Sequence, residues 1–130
     1  MGFEWTKRQL LPLSGYNTKP IQALTSTQGG VITPYGVTTI QRKTSAGAST
    51  ALYTIAAPTA ALVGYEKTII ALTGTSTRTC RVTFTGCKVV STAGSTTATK
   101  ITFNKGAGFA YLIALSTALW AAQVQNGTIA

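Results

Sequence analysis

The chain has 130 residues, enough for one domain with one modest core, and only 10% of them are charged. Eleven Lys and Arg face two acids, Glu4 and Glu66, for a formal charge of +9, and there is no His. That inventory excludes most hydrolytic, metal and acid–base plans, because Ser–His–Asp and Cys–His nucleophiles need an imidazole, zinc sites want grouped Cys or His, and common glycosidases need two facing carboxylates. The surface must then be polar mostly without charge, and 25 Thr with 8 Ser supply that polarity. Thr is β-branched and suits a pleated strand better than a helix interior, so an all-β domain is the expected class.

In chain order, residues 1–35 stand apart from the remainder of the chain. Pro12, Pro20 and Pro34 punctuate them and no run alternates for long, which reads as an extended N-terminal arm. Trp5, Leu10, Leu11, Leu13, Tyr16 and Ile21 make it too apolar for a solvated tail, so it is expected to lie on its own core, a sister subunit or another protein. No signal peptide is expected, since an acid precedes the bases and the apolar group is short. Met1–Thr6 has the spacing of a myristoylation signal, a pattern too short to carry weight.

From Val37 the sequence breaks into short β-rich runs separated by Gly, Ser, Thr and Asn, the signature of a sandwich or barrel. Eight strands are expected: Val37–Lys43, Ala51–Ala57, Lys67–Thr73, Thr79–Thr85, Lys88–Ser91, Thr99–Phe103, Phe109–Ser116 and Leu119–Gln125. Alternation is clearest at Cys80–Phe84, where Cys80, Val82 and Phe84 share one face and Arg81 and Thr83 the other. Phe109–Leu115 is apolar on both faces, with Phe109, Tyr111, Ile113 and Leu115 on the bulkier one, so that strand should be central or covered by a neighbour. Ala56–Gly64 reads equally as a helical turn or a loop around Pro58. Asn126-Gly127 offers a hairpin turn that would return Thr128–Ala130 as a short final arm. The longest mostly apolar stretch, 109–124, is broken by Ser116, Thr117 and Gln123 and falls short of the roughly 20 residues of a spanning helix, so a soluble protein is expected.

Several residues admit both a structural and a functional reading. Cys80 and Cys87 are too few for a disulfide framework and are expected as buried free thiols. Trp120, between Leu119 and Ala121, is expected in the core or at a subunit contact in preference to a sugar or base platform. Gly106-Ala107-Gly108 lacks the partners of a phosphate loop and reads as a turn. The bases are scattered, with only Lys7-Arg8 and Arg42-Lys43 adjacent and Arg78 and Arg81 nearby, and no RNP-like or helix-turn-helix pattern accompanies them. A nucleic-acid footprint is disfavoured on that ground; the dispersed bases read equally as a surface that meets an acidic protein lattice or as charge that keeps the protein soluble in place of the missing acids.

Four passages carry a resemblance: Leu52–Pro58, Glu66–Ile70, Lys100–Asn104 and Phe109–Trp120. Together, over residues 36–130, they resemble small virion structural proteins of tailed bacteriophages, namely head-decoration or cement proteins and β-rich head-fibre or tail-fibre domains. In such proteins the last passage resembles a strand, a Ser/Thr turn and a Trp-bearing strand. The resemblance implies a non-enzymatic and often oligomeric part of a phage particle; the high positive charge departs from it.

The expected architecture is a single antiparallel β-sandwich, with a jelly roll as one form of it, at residues 36–130 behind an arm at 1–35. The expected function is a capsid decoration or cement subunit that binds and stabilises the major-capsid lattice by burying interface. The alternative is a receptor- or glycan-binding β-domain of a head or tail fibre. Partner binding is assigned to Trp5, Lys7, Arg8, Leu10, Leu11, Leu13 and Tyr16 in the arm, with Arg42, Lys43, Arg78 and Arg81 as a basic contact surface. No catalytic residue, metal or cofactor is expected. The partners expected are the major capsid protein or another virion protein and further copies of the chain, as trimer or dimer, on a capsid surface assembled in the host cytoplasm.

Overall fold

The computed structural model describes residues 21–24, 29–41, 50–72, 79–92, 97–104 and 106–130. Period-two alternation governs them throughout. They form twelve strands: β1 (Gln22–Ala23), β2 (Gly29–Ile32), β3 (Gly36–Ile40), β4 (Thr50–Ala56), β5 (Glu66–Ala71), β6 (Thr79–Thr85), β7 (Lys88–Ser91), β8 (Thr97–Ala98), β9 (Lys100–Phe103), β10 (Gly108–Ser116), β11 (Leu119–Gln125) and β12 (Gly127–Ile129). One turn of 3-10 helix at Ala60–Leu62 settles the Ala56–Gly64 segment as loop with a helical turn.

The strands make an all-β sandwich of two sheets. A seven-stranded sheet runs β1-β3-β5-β10-β11-β7-β8 and a five-stranded sheet runs β12-β9-β6-β4-β2. Every step along the chain except β7 to β8 and β10 to β11 passes from one sheet to the other. Because successive strands reverse direction while changing sheet, sheet neighbours two apart in sequence come out parallel: β1 with β3, β3 with β5, β2 with β4 and β4 with β6. The sheets are therefore mixed, where wholly antiparallel ones were expected, and this path differs from the hairpin-built Greek keys of a jelly roll.

The expected hairpin after Asn126 is corrected in the same way. Asn126 does take the left-handed turn conformation (φ 56°), but β12 leaves β11 and pairs with β9 across the sandwich. The Asn126 amide donates to the Ala107 carbonyl (2.7 Å) and the Asn126 carbonyl accepts from the Asn104 amide (3.0 Å), so two sheet-crossing connections are tied together. Residues 22–23 and 29–32 also belong to the sheets, so the sandwich begins within the segment read as arm. Strands of two and four residues containing Gly29 and Gly30 are too short to show alternation.

The core lies between the inner faces. Ile69, Ala110, Leu112, Trp120 and Val89 from the larger sheet meet Tyr53, Ile55, Val82, Phe84, Ile101 and Phe103 from the smaller one, all buried. Cys80 and Cys87 are buried thiols that form no disulfide, as expected. Strand β10 sits at the centre of its sheet and turns its small side chains, Ala110 and Ala114 with Leu112, inward. Phe103 approaches so closely that a Cβ on Gly108 would lie 2.6 Å from its ring. Large residues of one sheet thus pack on small ones of the other, and the bulk of β10 is directed outward.

Tyr53 crosses between the sheets as a staple. Its hydroxyl donates to the Gln41 carbonyl (2.7 Å) and accepts from the Gln41 amide (3.1 Å), capping the end of β3. Burial raises the Tyr53 pKa, the Gln41 hydrogen bond holds the rise back, and Cys80 adds to it.

Gly29 fixes the smaller sheet's edge, since it has φ +117° and an added Cβ would fall 1.7 Å from the Leu52 carbonyl oxygen. Gly29→Ala should therefore lower unfolding free energy by more than about 1 kcal/mol, read from denaturant midpoints at constant slope. Gly64→Ala, also at positive φ but with nothing within 4 Å of the new Cβ, should be milder.

Candidate functional site

Among the described residues no group of three or more His, Cys, Asp or Glu could hold a metal ion. What the fold does build is one buried polar cluster and two contrasting outer faces.

The cluster gathers where the chain turns from β2 into β3. Lys67 lies on the core-facing side of β5 with Ile69 and Ala71, and its side chain is fully inaccessible, 0% exposed. Its ammonium group donates to Thr33 Oγ1 (3.2 Å), to the Tyr35 carbonyl (3.1 Å) and to Thr38 Oγ1. Three protons meet three acceptors, none of them a carboxylate. Thr38 Oγ1 in turn donates to Gln22 Oε1 (2.7 Å), which also accepts from the Thr33 amide (3.0 Å), while Gln22 Nε2 donates to the Val31 carbonyl (3.0 Å). The cluster ties β1, β2, β3 and β5 to one another. Burial lowers the Lys67 pKa from 10.5 to about 8.

Outward positions of the larger sheet are apolar along β10, with Gln123 and Gln125 of β11 exposed beside Tyr111 and Phe109. Ile70 of β5, Phe109, Tyr111 and Ile113 of β10, Leu119 of β11 and Val90 of β7 are half-buried there. Two charges border them, Glu66 at the start of β5 and Lys88 at the start of β7. Burial raises the Tyr111 pKa, and hydrogen bonding and the charge of Glu66 raise it further.

Outward positions of the smaller sheet are threonine-rich and basic. Thr54, Thr83 and Thr102 accompany Arg81 and Lys100, with no acid among the described positions of that face. Arg81 lies between Leu52 and Thr102 on the neighbouring strands, and its Nε is buried without a hydrogen-bond partner. At the sheet's edge Val31 (68% exposed) and Leu52 (53% exposed) bare apolar side chains.

Of the residues singled out in sequence, Arg81 is placed on this face. Trp5, Lys7, Arg8, Leu10, Leu11, Leu13, Tyr16, Arg42, Lys43 and Arg78 lie outside the described residues. Arg42-Lys43 directly follow Gln41 at the end of β3, and Arg78 directly precedes Thr79 at the start of β6. Trp120 is buried in the core; its indole N–H lacks a partner of normal geometry and neighbours the Cys87 thiol, whose pKa burial raises and the indole restrains. Lys67, Glu66 and Lys88 were not singled out as site residues. The alternation Glu66-Lys67-Thr68-Ile69-Ile70-Ala71 does place Lys67 with Ile69 and Ala71, but the usual exclusion of Lys from cores argues against reading it so.

Compared with known proteins, the chain matches no family model, no curated protein and no solved structure.

Lys67 makes stability depend on pH with a definite sign. A lysine whose folded pKa is depressed leaves the unfolded chain holding more protons between pH 8 and 10.5, so its contribution to stability rises with pH across that window. The raised pKa values of Cys87, from 9.0, and of Tyr53 and Tyr111, from 10.0, act oppositely at higher pH. Subtracting the unfolding free energy of Lys67→Met from that of the wild type removes those shared contributions. The difference should be flat below pH 7 and rise between pH 8 and 9 by up to about 1.4 kcal/mol per pH unit, measured by urea unfolding.

Proposed function

We propose that this chain is a non-enzymatic virion structural protein, a decoration or cement subunit that binds the major-capsid lattice of a tailed phage and stabilises it by burying interface. The observation that carries this reading is the outer face of the five-stranded sheet. It presents bases and threonines with no acid among its described positions, and exposed apolar side chains at Val31 and Leu52. Such a surface suits a flat acidic protein partner: charge steers the encounter and apolar contacts set the residence time.

The resemblance of four passages to phage decoration and fibre proteins supports the same reading. In the sandwich those passages occupy β4, β5, β9 and the β10–β11 pair, and Phe109–Trp120 takes the form of a strand ending at Ser116, a Thr117-Ala118 turn and a Trp-bearing strand. The arm fits the proposal through its point of attachment, since residues 1–20 precede Ile21 and β1 at the open edge of the larger sheet. Trp5, Leu10, Leu11, Leu13 and Tyr16 are its apolar anchors, and Lys7 and Arg8 its charge.

Deleting residues 1–20 should leave a cooperatively melting β-domain that no longer sediments with particles; unchanged occupancy would remove the arm as an anchor. Quantitative mass spectrometry of purified particles then decides the class. Hundreds of copies support cement, a few dozen or fewer move the chain to a fibre or vertex, and absence overturns the virion reading. In parallel, DNA binding that is submicromolar at physiological salt, without saturable binding to undecorated capsids, would place the positive charge on phosphate instead.

A further inference from the structure

The outer face of the seven-stranded sheet differs from that of its counterpart in having an apolar centre and a charge of each sign at its borders. Glu66 and Lys88 are the only charged residues on the described outward positions of that sheet. They lie on opposite sides of the β10–β11 pair, Glu66 on β5 and Lys88 on β7. Register fixes their heights: Glu66 is level with Ile113 and Ala121, and Lys88 is level with Leu119, two residues away along β11.

We infer that this face is a two-fold contact between two copies of the chain, in which Glu66 of each copy meets Lys88 of the other. A two-fold axis running along the strands midway between β10 and β11 carries β10 of one copy over β11 of the other and β5 over β7. Each Glu66 is thereby brought opposite Lys88 of the other copy, with an offset along the strand of two residues, or about 7 Å. Two extended side chains span that offset, and the pairing is reciprocal, as an isologous interface requires. Between the two charge pairs Ile113 of each copy lies over Ala121 of the other, and farther along the strands Tyr111 lies over Gln123 and Phe109 over Gln125, each ring meeting the aliphatic stem of a glutamine. Aligned sheet packing accommodates this, because faces stack about 10 Å apart at roughly 30°.

The four long strands that overlap about this axis, β5, β10, β11 and β7, at about 4.8 Å spacing and about 20 Å of strand give roughly 400 Å² on each face, so about 800 Å² in all. That is below the roughly 1,200 Å² of stable interfaces and points to a weak dimer, with Kd of about 100 µM, that assembles by concentration. The outward bulk of β10 has the same explanation: Phe109, Tyr111, Ile113 and Leu115 face away from a core that takes only Ala110, Leu112 and Ala114 from this strand. Neither the virion role nor this dimer requires the other.

Sedimentation equilibrium of the full chain from about 1 to 200 µM tests it, with the expected species twice 13.5 kDa. Glu66→Lys and Lys88→Glu should each weaken the dimer by about tenfold or more, because each sets like charges against one another twice. Mixing the two variants should restore association to within about threefold of wild type, since the heterodimer pairs Lys at 66 with Glu at 88 and Glu66 with Lys88. Ile113→Glu should leave a folded monomer, judged by its circular dichroism and melting. A wild type that stays monomeric at the highest concentration, whether because the arm folds over the face or because nothing covers it, overturns the inference. So does a trimer, or a pair of folded single variants whose mixture fails to recover. No particle is present in the measurement, so its outcome leaves the capsid reading to its own test.

Discussion

The Lys67 ammonium group holds the structure at the point where the chain first commits to two sheets. It satisfies Thr33 Oγ1 and the Tyr35 carbonyl in the β2–β3 crossing and Thr38 Oγ1 on β3, while standing on β5. In a chain with two acids, a buried lysine has little prospect of a carboxylate partner, and threonine hydroxyls take that place. Hydroxyls supply hydrogen bonds without opposing charge, so burial prevails over local stabilisation and the pKa falls to about 8. The benefit is geometric. Three directed donors fix β1, β3 and β5 relative to the crossing strand β2, and β4, β5 and β6 each enter beside a parallel neighbour already in place.

That alternating path also explains why the two outer faces differ so sharply. Strands β3 and β5 of the larger sheet and β4 and β6 of the smaller one are interleaved in sequence, so any one stretch of chain contributes to both. Glu66–Ala71 gives its bulk to the larger sheet and Thr79–Thr85 gives Arg81 and Thr83 to the smaller. Only β10 and β11, joined by a long hairpin, place two consecutive long strands side by side, and the outward residues of β10 with Leu119 and Ala121 of β11 form the apolar part of the larger sheet's face, bordered by Gln123 and Gln125. The division between an apolar face and a basic face is thus a division between local hairpin and sheet-crossing segments.

Much of the strand content is legible in the sequence. Thr79–Thr85, Lys88–Ser91 and Leu119–Gln125 end where alternation stops at Gly86, Thr92 and Asn126, and the observed bounds match. The other expected strands are displaced by one to three residues at their ends, where flanking Thr and Ser are as compatible with strand as with loop. Pairing is not legible, because partners are chosen by which sheet a strand enters, and a Gly-containing connection reads alike whether it closes a hairpin or crosses the sandwich. Asn126-Gly127 shows this: the turn conformation is as expected and the partner is β9. The bulkier face of β10 could be read from Phe109-Ala-Tyr-Leu-Ile-Ala-Leu115, but its outward direction could not, since bulk ordinarily belongs in the core. Of the site residues, Arg81 could be placed by alternation, whereas Glu66 and Lys88 acquire their relation only when β10 and β11 come between them.

The lengths of the edge strands favour association through faces over association through edges. Sheet edges are the usual route by which β-proteins join, because unpaired amides and carbonyls template a new strand. Among the described residues the edges are β1 and β8 with two residues each, β12 with three and β2 with four. A strand of two residues offers too few free backbone groups to hold a partner. Proteins with more charge guard their edges with lysine; this chain, poor in charge and rich in threonine, has its edges shortened instead. The surface left for contact is the broad middle of each sheet, apolar in part on one side and basic on the other, so a partner on one face would not compete for strands with a partner on the other.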